Sequence, residues 1–298
     1  MPPLTNNDAP PAAVLPLRKR QRGATGQPRE SGARRGSVRG VIDLHTHILP
    51  GIDDGPETIE GSLEIARVAL AAGTGTLVAT PHINRAYDLD PPRVLEAAQM
   101  LREALEHEGI ELELLTGGEI STRRLARLRG EELDALRLGG GPYLLIESPL
   151  TSGAWELTEV VERLHGEGYG VLLAHPERCP GFHRDPALLQ SLVAQGALCS
   201  ITAGALAGRF GSTVNRFALK LLREGLVHDV ASDTHDTRRR SPELRAPLHI
   251  AAERLPGLDG QVKWLTESVP AAILTGEPLP ERPALPARGW RERMLGRP

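Results

Sequence analysis

The chain has 298 residues and a mass of 32.1 kDa, a size typical of a single α/β barrel. Hydrophobic residues make up 40% of the sequence but aromatic residues only 3%, so aliphatic side chains must fill the core. The formal net charge of −3 gives no overall argument for a nucleic-acid partner. No apolar run approaches the roughly 20 residues that span a bilayer, and the chain start lacks the apolar core of a signal peptide. With only two cysteines and no CxxC motif, we expect a reduced, cytoplasmic protein without a membrane span.

The two ends of the chain differ in composition from the middle. Residues 1–40 are rich in Pro, Gly, Ala and Arg, which predicts a disordered basic N-terminal extension that cannot bury enough apolar surface to fold. Two other interpretations are a basic arm that touches membrane or nucleic acid, and a mis-assigned start with translation beginning at Val38. Residues 277–298 are also rich in Pro and Arg and are predicted to form a loose C-terminal tail. Residues 41–276 are therefore predicted to form the folded domain.

Between these ends, short apolar runs alternate with longer helical patterns. Strands are predicted over residues 41–45, 76–80, 112–118, 143–147, 171–175, 197–202 and 227–232. The first predicted helix has Pro56 in its first turn and an apolar face made of Ile59, Leu63, Ala66 and Leu70. Further helices are predicted over residues 91–108, 157–167, 186–195 and 214–224. About seven β-α units favour a closed or nearly closed parallel barrel, with an open doubly wound sheet as the alternative.

Ionisable side chains mark the carboxyl ends of these predicted strands. The first strand ends in His45-Thr46-His47. Residues two apart in a strand point to the same face, so both imidazoles can reach one metal ion. Taken alone, a His-x-His pair is equally compatible with exposed or hydrogen-bonded histidines.

The pattern recurs along the chain, after the first strand and after most of the later ones. The residues concerned are Asp54, His82, Glu119, Glu147, His175, Asp233 and His235. In an α/β barrel these strand ends meet on one face, where active sites are built. Burying so many ionisable groups without cations would be costly, so the set predicts a metal site. Imidazole and carboxylate ligands suit Mn²⁺, Fe²⁺, Zn²⁺ or Co²⁺, and their number suits two or three ions acting on a phosphoester.

Amidohydrolases, a competing class of metal-dependent barrels, also begin with His-x-His. Many dinuclear members bridge their metals with a carbamylated lysine on a middle strand. The lysines of this chain are Lys19, Lys220 and Lys263, and none ends a predicted middle strand. This distribution of lysines disfavours an amidohydrolase of the lysine-bridged type. It does not exclude a mononuclear amidohydrolase, which needs no bridging lysine.

Seven short segments occur in a fixed order along the chain. They are Asp43-Leu44-His45-Thr46-His47, Asp53-Asp54-Gly55-Pro56, Thr80-Pro81-His82, Gly118-Glu119-Ile120, Ile146-Glu147, Ala174-His175-Pro176-Glu177-Arg178 and Ser232-Asp233-Thr234-His235. Together they resemble the PHP (polymerase and histidinol phosphatase) superfamily, and within it the CpsB/YwqE-like bacterial protein-tyrosine phosphatases. The segment from Ile201 to Gly211 fits the same group. The resemblance runs from about residue 41 to 275 and implies a distorted (β/α)7 TIM-like barrel, so that residues 41–276 would form a phosphoesterase domain.

The resemblance also implies a trinuclear, usually manganese-dependent site. Its three metals would be held by His45, His47, Glu119 and Asp233; by Glu119, Glu147 and His175; and by Asp54, His82 and His235. Arg178 and Arg240 match positions at the substrate phosphate, where a guanidinium can bind two phosphate oxygens at once. Because Arg240 ends a run of three arginines, Arg238 and Arg239 are alternatives for this role.

The implied activity is removal of phosphate from the tyrosine-rich tail of a bacterial tyrosine kinase that controls capsular or exopolysaccharide assembly. A histidinol-phosphate or other small-molecule phosphatase of the same fold is the nearest alternative. A metal-dependent nuclease is disfavoured by the net charge of −3, and an inactive regulator by the complete ligand set. The oligomeric state stays open between a monomer and a homo-oligomer.

The remaining histidines and the cysteine beside Arg178 are interpreted as structural. Cys179 lacks the Cys-x5-Arg loop of cysteine phosphatases and is predicted to be a packing residue. The histidines without a position at a strand end are predicted to be surface or capping residues; they are His107, His165, His183, His228 and His249.

Overall fold

The computed structural model describes residues 40–87, 89–151 and 153–285. Apart from Gly40, the predicted N-terminal extension lies outside the described residues, as do residues 286–298 of the predicted tail. None of the helices in the described ranges combines the length and the apolarity needed to cross a bilayer.

Nine strand segments in the described ranges form the sheet. They are β1 (Val41–Thr46), β2 (Thr74–Ala79), β3 (His82–Ile83), β4 (Glu113–Thr116), β5 (Glu119–Ile120), β6 (Tyr143–Glu147), β7 (Gly170–Ala174), β8 (Leu198–Thr202) and β9 (Asp229–Ala231). Neighbouring segments pair in parallel throughout. Because β2 continues into β3 and β4 into β5, the nine segments make seven strands around the molecule.

The seven strands close into a barrel. The hydrogen-bonded orders are β1-β2-β4 and β3-β5-β6-β7-β8-β9, which together run once around the sheet. The circle closes between β9 and β1, where the Asp233 amide donates to the His45 carbonyl and the His47 amide donates to the Thr234 carbonyl, both at 2.9 Å. This closure confirms the predicted (β/α)7 barrel and excludes the open doubly wound sheet.

Local features of the chain explain why two of the strands are interrupted. Pro81, between β2 and β3, has no amide hydrogen to donate to a strand ladder, although its carbonyl accepts from the Glu119 amide at 3.0 Å. Between β4 and β5, a Cβ atom on Gly118 would lie 2.8 Å from Ile83 Cγ1, so only glycine permits this approach. The interruptions leave His82 and Glu119 side by side on two short paired strands.

Eleven α-helices in the described ranges connect and surround the strands. They are α1 (Ile59–Ala71), α2 (Pro91–His107), α3 (Thr122–Leu125), α4 (Glu131–Ala135), α5 (Glu156–Gly166), α6 (Pro180–Arg184), α7 (Pro186–Ala194), α8 (Ala203–Leu206), α9 (Ser212–Arg223), α10 (Arg245–Arg254) and α11 (Val269–Thr275). Short 3₁₀ turns cover Leu138–Gly140, Pro176–Arg178 and Leu258–Gln261, and Trp264–Ser268 forms a π-helical turn.

The two longest helices in the described ranges, α1 and α2, begin at a residue whose side chain caps the first turn. The Asp90 side chain accepts from the Arg93 amide at 3.1 Å and Pro91 occupies the first turn of α2. At α1 the cap is Thr58, which accepts from the Gly61 amide at 3.3 Å. The prediction that Pro56 lies in the first turn of α1 is therefore wrong. Pro56 belongs to the preceding turn, where its carbonyl accepts from the Gly51 amide at 2.8 Å.

Aliphatic side chains fill the core, as the low aromatic content predicts. Strands β6, β7 and β8 are buried along almost their whole length, with Leu144, Leu172 and Ile201 fully buried. Cys179 is also buried and unpaired, and burial raises the pKa of its thiol. This environment confirms that Cys179 is a packing residue.

His228 departs from the predicted surface position. It is buried, and its Nδ1 atom accepts a hydrogen bond from the Cys199 amide at 3.3 Å. Burial, followed by the charge of nearby Arg282, lowers the pKa of His228 to about 3. His228 is thus a neutral acceptor in the core, whereas His107 and His249 are exposed as predicted.

The first part of the predicted loose tail is attached to the barrel. The Arg282 guanidinium lies over the Trp264 ring, 4.3 Å from its centroid, and donates a hydrogen bond to the Val227 carbonyl. The Trp264 indole nitrogen donates to the Pro280 carbonyl at 3.0 Å, and Leu285 packs against the core. The prediction of a loose tail is therefore wrong for residues 277–285, because contacts distant in sequence hold them.

Replacing Arg282 tests this attachment. We expect Arg282→Ala to lower the free energy of unfolding by about 1–3 kcal/mol, because it removes a cation–π contact and a hydrogen bond to a buried carbonyl. Glu281→Ala, at the exposed neighbouring position, should change it by less than about 0.5 kcal/mol. Urea unfolding followed by circular dichroism measures both values. Equal stability of Arg282→Ala and the wild type would contradict the attachment.

Candidate metal centre

The nine side chains proposed as metal ligands all lie at the carboxyl end of the barrel. At the end of β1, the Nε2 atoms of His45 and His47 are 3.2 Å apart, because residues two apart share a face. Glu119 Oε2 lies 3.5 Å from His45 Nε2 and 3.4 Å from His47 Nε2. Asp233 Oδ1 lies at the same two distances from these nitrogens, 3.5 and 3.4 Å. These four buried side chains form the inner part of the cluster.

A second group of side chains lies on the solvent side. Asp54 Oδ1 is 3.1 Å from His235 Nε2, 3.4 Å from His82 Nε2 and 3.9 Å from His47 Nδ1. The ring centroids of His47 and His235 are 4.0 Å apart. Because the Asp54 carboxylate is partly exposed, it marks the side from which a substrate can approach.

Glu119 connects the groups. Its Oε1 atom lies 2.6 Å from His175 Nε2 and its Oε2 atom lies 2.8 Å from His82 Nδ1. Glu147 brings a carboxylate oxygen to within 4.8 Å of ligand atoms of both His82 and Glu119. A single buried carboxylate therefore contacts members of every part of the cluster.

Three sets of ligand atoms lie within 4.8 Å of one another and could each hold an ion. They are His47, Asp54, His82 and His235; His45, His47 and Asp233; and His82, Glu119 and Glu147. The grouping differs in three ways from the one that the resemblance implies. His82, rather than His175, lies with Glu119 and Glu147; Glu119 is absent from the set of His45, His47 and Asp233; and His47 joins the set that contains Asp54.

The chemistry of these atoms fits metal ions. Glu119 Oε2, His82 Nδ1 and His235 Nε2 are buried without a hydrogen-bond partner among the described residues, although each lies close to another ligand atom. Buried polar atoms without partners are costly, and cations between them would remove that cost. The set contains imidazole nitrogens and carboxylate oxygens but no thiolate, which suits Mn²⁺, Fe²⁺, Zn²⁺ or Co²⁺.

Two arginines lie at the edge of the cluster. Arg178 Nη1 donates to Asp233 Oδ2 at 2.8 Å, and Arg240 Nη2 donates to the same oxygen. Arg238 and Arg239 are exposed, so within the run of three arginines it is Arg240 that reaches the centre. Two guanidinium groups thus meet beside a buried carboxylate of the ligand cluster.

The family model for capsular polysaccharide synthesis proteins of the CpsB/CapC type matches residues 41–269. The chain belongs to the CpsB/CapC family. Tyrosine-protein phosphatase YwqE of Bacillus subtilis is 38% identical over 217 residues, which cover 70% of this chain and 83% of YwqE. Tyrosine-protein phosphatase CpsB of Streptococcus agalactiae is 26% identical over 218 residues, which cover 70% of this chain and 89% of CpsB.

Solved structures agree with this membership. A structure reported for YwqE from Bacillus subtilis and CpsB from Streptococcus pneumoniae, described as metal-dependent tyrosine phosphatases, superimposes with a TM-score of 0.70 at 35% identity. It covers 81% of this chain and 97% of the solved chain. The β-aspartyl dipeptidase of Fervidobacterium islandicum AW-1 covers 79% of this chain with a TM-score of 0.54 at 16% identity, and so shares the barrel fold alone.

Negative charge is concentrated in the centre of this CpsB/CapC protein. Burial opposes the ionisation of Glu119, but the charge of His45 and a hydrogen bond from His175 hold its pKa well below the usual range. At Asp233 burial again opposes ionisation, but the charge of His45, a hydrogen bond from His47 and the charge of Arg240 together hold the pKa well below its usual range. Burial, followed by the charge of Glu119, raises the pKa of Glu147 to about 7. Bound cations would be favoured most at Glu119 and Asp233.

Two residues of the cluster have a left-handed backbone. The φ angles are 36° at His175 and 53° at Asp233, which is uncommon for residues other than glycine and costs about 1–3 kcal/mol each. The His175 amide donates to the Ser200 carbonyl at 2.8 Å, so the neighbouring strand holds this turn. The strained turns direct both side chains towards Glu119 and the arginines.

Asp53 orients the imidazole of His47 and holds the backbone of His82. Its Oδ2 atom lies 2.7 Å from His47 Nδ1 and accepts from the His82 amide at 3.1 Å. A proton held on Nδ1 leaves the Nε2 lone pair of His47 free to face the cluster. Asp53 belongs to a segment that carries the family resemblance, but its contacts with His47 and His82 are not evident from the spacing of the sequence.

Two further buried carboxyl groups hold the strand ends in place. Asp43 Oδ1 accepts from the Ser232 amide at 3.0 Å and so joins β1 to the end of β9; burial raises the pKa of Asp43 to about 6. Glu177 Oε1 accepts from the Thr202 amide at 2.9 Å and joins the turn after β7 to β8; burial raises its pKa to about 7. Sequence reasoning missed both, although each stands in a segment that carries the resemblance.

Arg209 and Phe210 position the two arginines of the centre. The Phe210 ring lies 4.5 Å beneath the Arg178 guanidinium. Arg209 donates to the Arg239 carbonyl and to Ser241 Oγ, both at 3.1 Å, which fixes the loop that carries Arg240. The segment ending in Arg209-Phe210-Gly211 was recognised in the sequence only as a family motif, because its contacts are distant along the chain.

Replacing Asp53 tests its orienting role. We expect Asp53→Asn to weaken metal binding by about 10–100-fold, because the amide cannot hold His47 and the His82 backbone as the carboxylate does. Asp90→Asn is the matched control, since Asn caps a helix as well as Asp does, and it should leave metal affinity unchanged. Isothermal titration with Mn²⁺ measures both. Wild-type affinity in Asp53→Asn would contradict the role of this contact.

Proposed function

We propose that this chain is a metal-dependent protein-tyrosine phosphatase that hydrolyses phosphotyrosine on a bacterial tyrosine kinase regulating capsular or exopolysaccharide biosynthesis. The observation that carries the proposal is the cluster of nine imidazole and carboxylate side chains with two guanidinium groups beside it. The names of YwqE and CpsB, both tyrosine-protein phosphatases, support the reaction. Because kinases use ATP, such a substrate would place the enzyme in the cytoplasm.

The cofactor we propose is Mn²⁺, with two or three ions per chain. The ligands would be His45, His47, Asp54, His82, Glu119, Glu147, His175, Asp233 and His235. When bound, such ions supply an activated water and neutralise charge on the phosphoryl oxygens. Glu119 and Glu147 would suit positions between ions, since each carboxylate offers two oxygens.

Arg178 and Arg240 bind the substrate phosphate. Each guanidinium has five N–H donors, of which Asp233 accepts one from each arginine, so donors remain for the phosphate oxygens. Charge-assisted hydrogen bonds of this kind stabilise the charge that builds on the phosphoryl group during transfer. Tyrosine has a pKa of about 10, so the departing tyrosinate has less need of a strong general acid than an alkoxide would.

Comparing two substrates tests the proposed reaction. Phosphate release from a phosphotyrosyl peptide and from histidinol phosphate is measured side by side with Mn²⁺, and again with excess chelator. We expect the chelator to abolish release from the peptide, and kcat/KM to be at least roughly tenfold lower for histidinol phosphate. A preference for histidinol phosphate would instead assign the site to small-molecule metabolism.

A paired substitution supplies the control for this experiment. His45→Ala with His47→Ala should lower turnover at least about a thousandfold while circular dichroism shows a retained fold. The matched pair His107→Ala with His249→Ala removes two exposed histidines outside the cluster and should leave turnover unchanged. Full activity of the first pair would reject the metal assignment.

A further inference from the structure

A pocket lies where the residues that follow β3 and β5 meet the start of α5, at the carboxyl end of the barrel. It has a volume of about 580 Å³ and is lined by residues in and just after α3, by two residues after β3 and by the first residue of α5: Thr122, Arg123, Arg124, Ala126, Arg127, Asn84, Arg85 and Glu156. Its walls continue the two short strands that carry ligands: Arg85 lies three residues after His82, and Arg123 lies four residues after Glu119. Three extended residues span at most about 11 Å, so the pocket adjoins the cluster.

The pocket has a strong excess of positive charge. Four arginines line it, Arg85, Arg123, Arg124 and Arg127, against the single carboxylate of Glu156. Within the described part of the chain, no carboxylate oxygen lies within ion-pair distance of any of these four guanidinium groups. The Glu156 carboxylate is already engaged, since it accepts from Thr122 Oγ1 at 3.2 Å.

One of these guanidinium groups is partly desolvated without compensation. Arg124 Nε is buried and has no hydrogen-bond partner among the described residues. Other arginines of the same region are used structurally: Arg163 donates to the Leu125 and Leu128 carbonyls at the end of α3, each at 3.1 Å. The pocket therefore has a fixed wall, and no acceptor among the described residues engages the Arg124 Nε donor, which is the arrangement expected of an anion site.

An exposed aromatic residue lies next to this pocket. Trp155 directly precedes Glu156 and is 65% exposed, and Leu150 in the same loop is also exposed. The flat indole ring of Trp155 offers an apolar surface on which an aromatic side chain of a bound peptide can pack. An indole ring beside four arginines matches a peptide that carries both aromatic rings and anionic groups.

We propose that the arginine pocket (Arg85, Arg123, Arg124 and Arg127) binds a second anionic side chain of the substrate peptide, a phosphotyrosine or an acidic residue, while the first phosphotyrosine occupies the metal centre. The pocket would make the enzyme prefer clustered phosphotyrosines or acidic flanks over an isolated phosphotyrosine. This inference rests on the proposed phosphatase function and adds the substrate feature that the enzyme selects.

Binding of non-hydrolysable peptides tests the pocket separately from catalysis. Three labelled peptides each carry one phosphonate mimic of phosphotyrosine. About three residues away, a spacing of roughly 10 Å, the first peptide has a second mimic, the second has a Glu and the third has a neutral residue. Fluorescence anisotropy with the Mn²⁺-loaded enzyme gives the dissociation constants. We expect the wild type to bind both doubly anionic peptides about tenfold more tightly than the neutral one, with a preference that decreases as salt rises.

Charge-neutralising variants identify the residues responsible. Arg123→Gln with Arg127→Gln should remove the preference and leave affinity for the neutral peptide unchanged. The control pair, Arg216→Gln with Arg223→Gln, removes two exposed charges on α9, which lies between β8 and β9 along the chain and does not line the pocket, and should retain the preference. If the variant Arg123→Gln with Arg127→Gln loses only the preference for the peptide with the second mimic, the pocket recognises phosphate. If it loses the preference for both doubly anionic peptides, the pocket recognises any anionic side chain.

Different results would contradict the pocket assignment and the proposed phosphatase function. Equal binding of all three peptides by the wild type, or a full preference in Arg123→Gln with Arg127→Gln, would overturn the pocket assignment. Turnover of p-nitrophenyl phosphate and of phosphotyrosyl peptides by the same preparation reports on the proposed reaction alone. The pocket variants should hydrolyse p-nitrophenyl phosphate at the wild-type rate, and a parallel loss of that activity would overturn a role limited to substrate selection.

Discussion

The buried carboxylate of Glu119 is the constraint on which the rest of the site depends. It lies within 3.5 Å of ligand nitrogens of four histidines, which come from β1, β3 and the end of β7. A carboxylate at this depth needs compensating positive charge, and imidazoles supply it only when protonated. Cations would satisfy Glu119 and leave the histidines neutral, in the form that binds metals. The arrangement is understandable as a metal centre and hard to explain as a packed core.

The barrel holds these groups close together at an energetic cost. The left-handed turns at His175 and Asp233 are strained, and they persist because neighbouring strands accept or donate at both positions. Asp43 joins the first strand to the last at the point where the barrel closes. The aliphatic core below is large enough to offset such local costs. Stability is therefore supplied by the lower barrel, while function resides at its carboxyl end.

Much of this site could be predicted from the sequence because its ligands recur at the carboxyl ends of the strands. The two-residue period of a strand places His45 and His47 on one face, and parallel strands bring the later ligands to the same end. Features that depend on contacts between residues distant in sequence could not be predicted in this way. His228 is buried against Trp264, which lies far from it along the chain. Arg282, in the segment predicted to be a tail, is held by contacts with Trp264 and Val227, which are also distant in sequence. Choosing Arg240 over Arg238 and Arg239 required the loop geometry that Asp236 and Arg209 impose.

The central claim is that these nine side chains hold metal ions, and locating the ions is its most direct test. Crystals of the protein loaded with Mn²⁺ would be measured at the manganese absorption edge, with elemental analysis of the same preparation. The account predicts two or three anomalous peaks, each about 2.0–2.3 Å from imidazole nitrogens or carboxylate oxygens of the cluster, with Glu119 contacting more than one ion. Absence of peaks at the carboxyl end of the barrel, or ions bound only at other sites, would contradict it.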